Sequence, residues 1–173
     1  MKDDKGEIER CFQQLGISRL IIEEKKLSLW LPPDELIEIK GKEAGRCYLL
    51  DSNAAEAWLD MQEAANKADV QLYAISTYRS ISYQADIIKR KLELGQEMKD
   101  ILKVSAPPGY SEHHSGRAID IGTPGYTDLE VEFESSGAFK WLSRHASDFH
   151  FSLSFPRNNV HGYSYEPWHW LFS

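Results

Sequence analysis

The spacing of apolar side chains divides the chain into alternating helical and extended runs. Ala54, Trp58, Met61 and Ala65 recur at helical spacing and predict a helix over 53–68, capped by Asp51 or Ser52, with one apolar stripe turned inward. Gln71 to Thr77 alternates polar and apolar β-formers and predicts a strand, after which Ser80 or Ser82 opens a second helix to about Leu94, closed by Gly95. Arg117 to Ile121 reads as a buried strand. Phe139, Leu142 and Ala146 mark the inner face of a helix over 136–147, and two β-like runs follow, over 149–155 and 163–172. Ahead of all these lie a short amphipathic helix over 6–15 and short strands over 18–22 and 26–31, the second ended by Pro32-Pro33. Ala106-Pro-Pro-Gly109 cannot be regular structure and predicts a rim loop. The sum is an α+β fold, with helices on one side of a small, mainly antiparallel sheet.

Composition narrows the partners. A chain of 173 residues, 42% hydrophobic, is long enough for one domain with its own core. Its formal charge of -7, with Lys and Arg spread thinly, argues against nucleic acid and against an anionic membrane surface. Cys11 and Cys47 lie far apart and outside the histidine-rich stretches, so two free thiols are expected rather than a zinc ribbon or a disulfide framework. The polar, acidic start lacks the apolar run of an export signal. The expectation is a cytoplasmic protein, or a periplasmic or extracellular one if the chain is a trimmed piece of a longer one. No heptad seam is visible, so a monomer is expected.

Two stretches carry chemistry: Ser111-Glu-His-His-Ser-Gly-Arg-Ala-Ile-Asp120 and Glu166-Pro-Trp-His169. Together they supply two imidazoles and a carboxylate for a metal, plus a spare carboxylate. Hydrolytic zinc is held by three N/O ligands with the fourth position open, and a nearby Glu that does not bind the metal serves as base. His113, Asp120 and His169 are the candidate ligands and Glu166 the candidate base. Ser115-Gly116 argues against a helix joining His113 to Asp120. A loop that turns at Gly116 into a strand puts Ala118 and Asp120 on one face, Ile119 and Ile121 on the other.

An ionised carboxylate among apolar neighbours needs compensation, either from a divalent cation or from an arginine such as Arg117 or Arg144; both readings stand at this point. Glu166 and His169, three apart, would face opposite sides of a regular strand. Pro167 favours an irregular or bulged geometry in which both reach one cavity. The competing reading is an aromatic core strand with a solvent-facing Glu and a hydrogen-bonded His. Arg79, at the handover from strand to helix, could donate to a developing oxyanion or hold a substrate carboxylate, or lie on the surface. His114 points elsewhere if its segment is extended, and His145, His150 and His161 have no partner at a metal spacing; these read as surface or hydrogen-bonded histidines.

Four ordered motifs add to this reading: Tyr78-Arg79-Ser80 with Gln84, Pro-Pro-Gly-Tyr-Ser-Glu-His113, His-x-x-Gly-x-Ala-x-Asp120, and Gly162-Tyr-Ser-Tyr-Glu166-Pro-Trp-His169. Over roughly residues 50–173 the chain resembles the LAS zinc metallopeptidases, in particular the D-alanyl-D-alanine carboxypeptidases of the vancomycin-resistance (VanY) type. The resemblance implies a hedgehog/D,D-peptidase-like fold, with 51–173 as the catalytic core and 1–50 as an N-terminal extension. It implies Zn2+ on His113, Asp120 and His169, Glu166 as catalytic base, Arg79 stabilising the oxyanion or substrate carbonyl, and Ser111 and Gln84 lining the substrate pocket. The implied substrate is a peptidoglycan stem peptide or precursor, cut next to a C-terminal D-amino acid. An L,D-carboxypeptidase, a D,D-dipeptidase or an endopeptidase would use the same chemistry, and a non-catalytic zinc-containing binding module is the alternative of another class. His161 stands where relatives often carry Thr, which leaves the exact substrate open.

Overall fold

In the computed structural model, which describes residues 3–173, a four-stranded antiparallel sheet carries helices on one face and a cleft on the other. Asp3 caps helix α1 (Asp4–Leu15), and Gly16 ends it in the left-handed conformation. The expected strand over 18–22 is instead a short helix, α2 (Leu20–Glu24). The Ser18 hydroxyl accepts from Leu20 N, so the serine starts a helical turn and Ile21 and Ile22 pack onto the same cluster as α1. Residues 26–31 form no strand either: Lys26 has φ 52°, and Trp30 N donates to Gly109 O across the molecule.

A hairpin absent from the sequence expectations follows, β1 (Ile37–Ile39) with β2 (Tyr48–Leu50). Asp51 is the cap of α3 (Ser52–Lys67), which buries Ala54, Trp58, Met61 and Ala65 as expected. Strand β3 (Tyr73–Ser76) leads into α4 (Ile81–Glu93), capped by Ser80, and then into one turn, α5 (Met98–Ile101). A 3-10 turn over Glu112–Ser115 ends at Gly116, φ 67°, where the chain swings into β4 (Ala118–Gly122). An added Cβ at Gly116 would meet Asp51 N at 2.9 Å, so only glycine fits that approach.

Helix α6 (Gly137–His145) is shorter than expected because the chain tightens into a 3-10 turn at Ala146–Phe149 before β5 (Phe151–Leu153). Of the run 163–172 only β6 (His169–Phe172) is strand. The sheet order is β3-β4-β6-β5. Ile119 and Ile121 of β4 and Trp170 of β6 pack beneath α3 and α6 in the larger core, as the alternation predicts. A second cluster forms where α1 lies on α4, through Ile8, Cys11 and Phe12 against Ile81 and Ile88. Both cysteines are free, Cys11 buried and Cys47 exposed.

Candidate metal centre

Strand register assembles the centre. Asp120 pairs with Ser76 of β3 on one side and with His169 of β6 on the other, so the three side chains form a row on the cleft face of the sheet. His169 Nδ1 lies 3.0 Å from Asp120 Oδ1, and His113 Nε2 lies 3.3 Å from Asp120 Oδ2. Possible ligand atoms of the three residues all fall within 4.8 Å of one another, and all three residues are buried.

Their hydrogen bonds orient them for a metal. His113 Nδ1 lies 2.7 Å from Thr77 O, which can only accept, so Nδ1 carries the proton and the Nε2 lone pair, beside Asp120, accepts from Arg79 Nη2 at 3.1 Å. His169 Nε2 lies 2.8 Å from Glu112 Oε2, which leaves Nδ1 facing Asp120. A carboxylate behind a ligating imidazole is a recurrent means of fixing the ring and raising its basicity. Glu112 was absent from the expected site, and its only signal in the sequence is its place beside His113. Two imidazoles and one carboxylate fit Zn2+, and a three-ligand set of this kind would leave a coordination position for water or substrate.

The electrostatics run the same way. Burial would lower the His169 pKa, but Asp120 and Glu112 outweigh it and push the ring up to about 10. Burial, with Arg79 nearby, pushes His113 down to about 4. Burial alone would raise Asp120, yet the two imidazoles and Arg79 hold it well below the usual carboxylate range. A divalent cation would displace the proton that the two acids hold on His169.

Glu166 reaches the same cavity through a turn, the irregular of the two geometries expected at Pro167. His169 N donates to Glu166 O at 3.1 Å, closing a four-residue turn with Pro167 second, the position its fixed φ favours. Glu166 Oε2 consequently sits 4.0 Å from His169 Nδ1. Burial raises the Glu166 pKa to about 7.

Arg79 is neither on the surface nor replaced by Arg117 or Arg144 as the partner of Asp120. Its Nη2 donates to Asp120 Oδ2 at 2.8 Å, and its Nε donates to Ser76 Oγ at 3.0 Å. Gln84, expected to line the substrate pocket, instead stands buried behind Arg79: its Oε1 accepts from Arg79 Nη1 at 3.4 Å, and its Nε2 donates to Ala106 O at 2.8 Å. With both ends of its amide spent, it braces the guanidinium and the rim loop. Ser111 does line the cleft, whose volume is about 450 Å³. His114 is buried and points away from the metal ligands; its Nδ1 faces Arg79 O at 2.7 Å and its Nε2 accepts from Gly109 N at 3.0 Å.

The N-terminal residues also hold the rim. Lys25 Nζ donates to His161 O at 2.9 Å and to Gly162 O at 3.1 Å, and His161 Nδ1 lies 2.9 Å from Lys25 O. His161 thus ties the loop before Glu166 to the first fifty residues and takes no part in the ligand set.

Comparison with known proteins agrees with this geometry. The chain is 34% identical over 137 residues to the putative carboxypeptidase YodJ of Bacillus subtilis (strain 168), across 77% of this chain and 50% of that protein. It is 32% identical over 145 residues to a D-alanyl-D-alanine carboxypeptidase of Enterococcus faecium, across 79% of this chain and 41% of that protein. The chain therefore spans half or less of the length of these curated relatives. Among solved structures, the LdcB LD-carboxypeptidase superposes with a TM-score of 0.71 at 30% identity, over 82% of this chain and 69% of that one. A vancomycin resistance D,D-pentapeptidase VanY in complex with Zn(II) shares the fold, with a TM-score of 0.61 at 23% identity over 83% of this chain and 86% of that one. A family model described as VanY, D-alanyl-D-alanine carboxypeptidase, matches residues 48–173, and the chain belongs to that family.

Proposed function

We propose that the chain is a zinc-dependent carboxypeptidase that releases a C-terminal D-amino acid, of the D-Ala-D-Ala type, from peptidoglycan stem peptides or their precursors. The observation that carries this reading is the meeting of His113, Asp120 and His169 on one cleft wall, with Glu166 brought alongside by the turn at Pro167. Similarity to relatives named as carboxypeptidases supports the substrate class.

A zinc ion held by the three ligands supplies a Lewis acid and makes water easier to deprotonate near neutral pH. Glu166 is the base: buried, with a pKa near 7, it can accept a proton from water and return it to the departing amine nitrogen. One carboxylate can serve both steps because burial raises its pKa toward neutrality, which eases return of the proton. Arg79, fixed by Ser76, Gln84 and Asp120, aims a delocalised cation at the place where the carbonyl oxygen gains charge. Phe155, whose ring centroid is 4.7 Å from that of His169, closes one wall with apolar surface and strengthens these interactions by excluding water.

The test is hydrolysis of defined stem peptides by the zinc-loaded protein, with product masses as readout. A pentapeptide ending in D-Ala-D-Ala should lose one D-Ala. Release of the intact dipeptide, cleavage of the tetrapeptide alone, or no cleavage of any substrate would each contradict the proposal.

A further inference from the structure

A carboxypeptidase must recognise the carboxylate at the end of its substrate, and the two arginines in the cleft wall are committed elsewhere. Arg79 is assigned to the oxygen of the scissile carbonyl, while Arg46 lies near Glu43 and over the Tyr48 ring. The remaining cation of the cleft wall is Lys91. It stands on α4 one heptad beyond Gln84, hence on the same helical face and about 10 Å further along the axis. It is half-buried, and its Nζ has a single hydrogen-bond partner among the described residues, Ser105 Oγ at 2.8 Å. Among those residues it forms no ion pair, unlike Lys42, Lys67, Lys99 and Lys103, which are each matched with an acid.

A half-buried ammonium with one neutral partner gains from an arriving anion. An ammonium withdrawn from water without a carboxylate loses hydration that one neutral hydroxyl does not replace. Burial lowers the Lys91 pKa, and Lys91 lines the same cleft as Arg79 and Glu166. Around it the wall is apolar, with Ile87, Val104 and Ala106 lining the same part of the cleft. A cation in an apolar pocket, flanked by one small hydroxyl, suits a terminal carboxylate whose residue has a small apolar side chain.

Resting on the carboxypeptidase reading, we propose that Lys91 Nζ, with Ser105 Oγ, binds the terminal α-carboxylate of the substrate and so restricts the enzyme to the last residue of the peptide. Lys91 touches substrate away from the bond that breaks, so it governs binding and specificity and leaves proton transfer to Glu166.

The experiment compares a stem peptide carrying a free C-terminal carboxylate with the same peptide as the C-terminal carboxamide. The wild-type, zinc-loaded protein should prefer the acid by roughly 10–100-fold in kcat/KM, the range of one charge-assisted contact. In Lys91→Met, which keeps the length and apolar packing of the side chain, that preference should collapse. The loss should appear in KM for the acid with zinc content unchanged, and Lys91→Arg should recover part of the preference. A Lys91→Met variant that still discriminates acid from amide overturns the proposal, as does a wild-type protein that does not discriminate, a result that needs no variant to fold. If the zinc-loaded wild type cleaves neither peptide, the carboxypeptidase reading falls and this one with it, a pattern distinct from active enzyme without end-group preference.

Discussion

Asp120 and His169 stand directly opposite each other across strands β4 and β6, with Oδ1 and Nδ1 3.0 Å apart. Their pairing makes the candidate ligand set a property of the sheet, since two of its three members form one rung of the ladder. His113 then needs only the turn at Gly116 to complete it.

Asp120→Ala should abolish stoichiometric zinc binding, by more than the roughly 10–100-fold loss typical of disturbing a supporting partner of a ligand. Zinc content measured by atomic emission after gel filtration checks this. One retained equivalent would remove Asp120 from the ligand set.

Glu166→Gln should separate metal from chemistry. The amide keeps the size of the side chain but cannot take up a proton, so kcat should fall by about 10²–10⁴-fold with zinc retained. Wild-type turnover in a zinc-replete sample would exclude Glu166 as the base.

The pH profile follows from the same residue. Burial raises the Glu166 pKa to about 7, and the base works in its ionised form, so activity rises with pH through the midpoint and is lost below it. A neighbouring divalent cation favours the ionised form, which places the acidic limb of kcat/KM at or below about 7. Glu166→Gln should flatten that limb; an unchanged limb in the variant would assign it to another group.

Arg79→Ala should slow turnover by about 10²–10³-fold, as expected for one oxyanion donor, with zinc retained. Lysine should restore little, because a single ammonium cannot span Ser76, Gln84 and Asp120 as the guanidinium does. Steady-state kinetics with parallel zinc analysis checks both variants.

His114→Ala should destabilise the fold by about 1–3 kcal/mol per polar group left unpaired, since it strands Gly109 N and Arg79 O in the interior. Denaturant unfolding measures the loss. His145→Ala, at an exposed position, is the control and should change stability little.

The helices that matter were legible in the sequence because each writes its burial as a periodic stripe between a cap and a stop: Asp51 before Ala54 to Ala65, and Ser80 before Ile81, Gln84 and Ile88. The paired strands β1 and β2 were not, because three residues are too few to carry a period. Ile21 and Ile22 misled for a related reason: two adjacent isoleucines suit a strand, and only the cluster formed by α1 and α4 gives them a helical place. Residue types and motif spacing put forward His113, Asp120 and His169 as candidate ligands and Glu166 as candidate base, since few side chains can hold zinc, and the family resemblance implied the same roles. Nothing in that order of residues shows which groups stand behind them. Glu112 behind His169, Gln84 behind Arg79, and Lys91 without an acid emerge only when strand register and helix packing bring distant segments together. Register is set by burying Ile119, Ile121 and Trp170 beneath α3 and α6, and a slip of one residue would turn Asp120 into the core. Residue order dictates which chemistry is available, and folding dictates which atoms face one another, because facing depends on contacts between segments far apart in the chain.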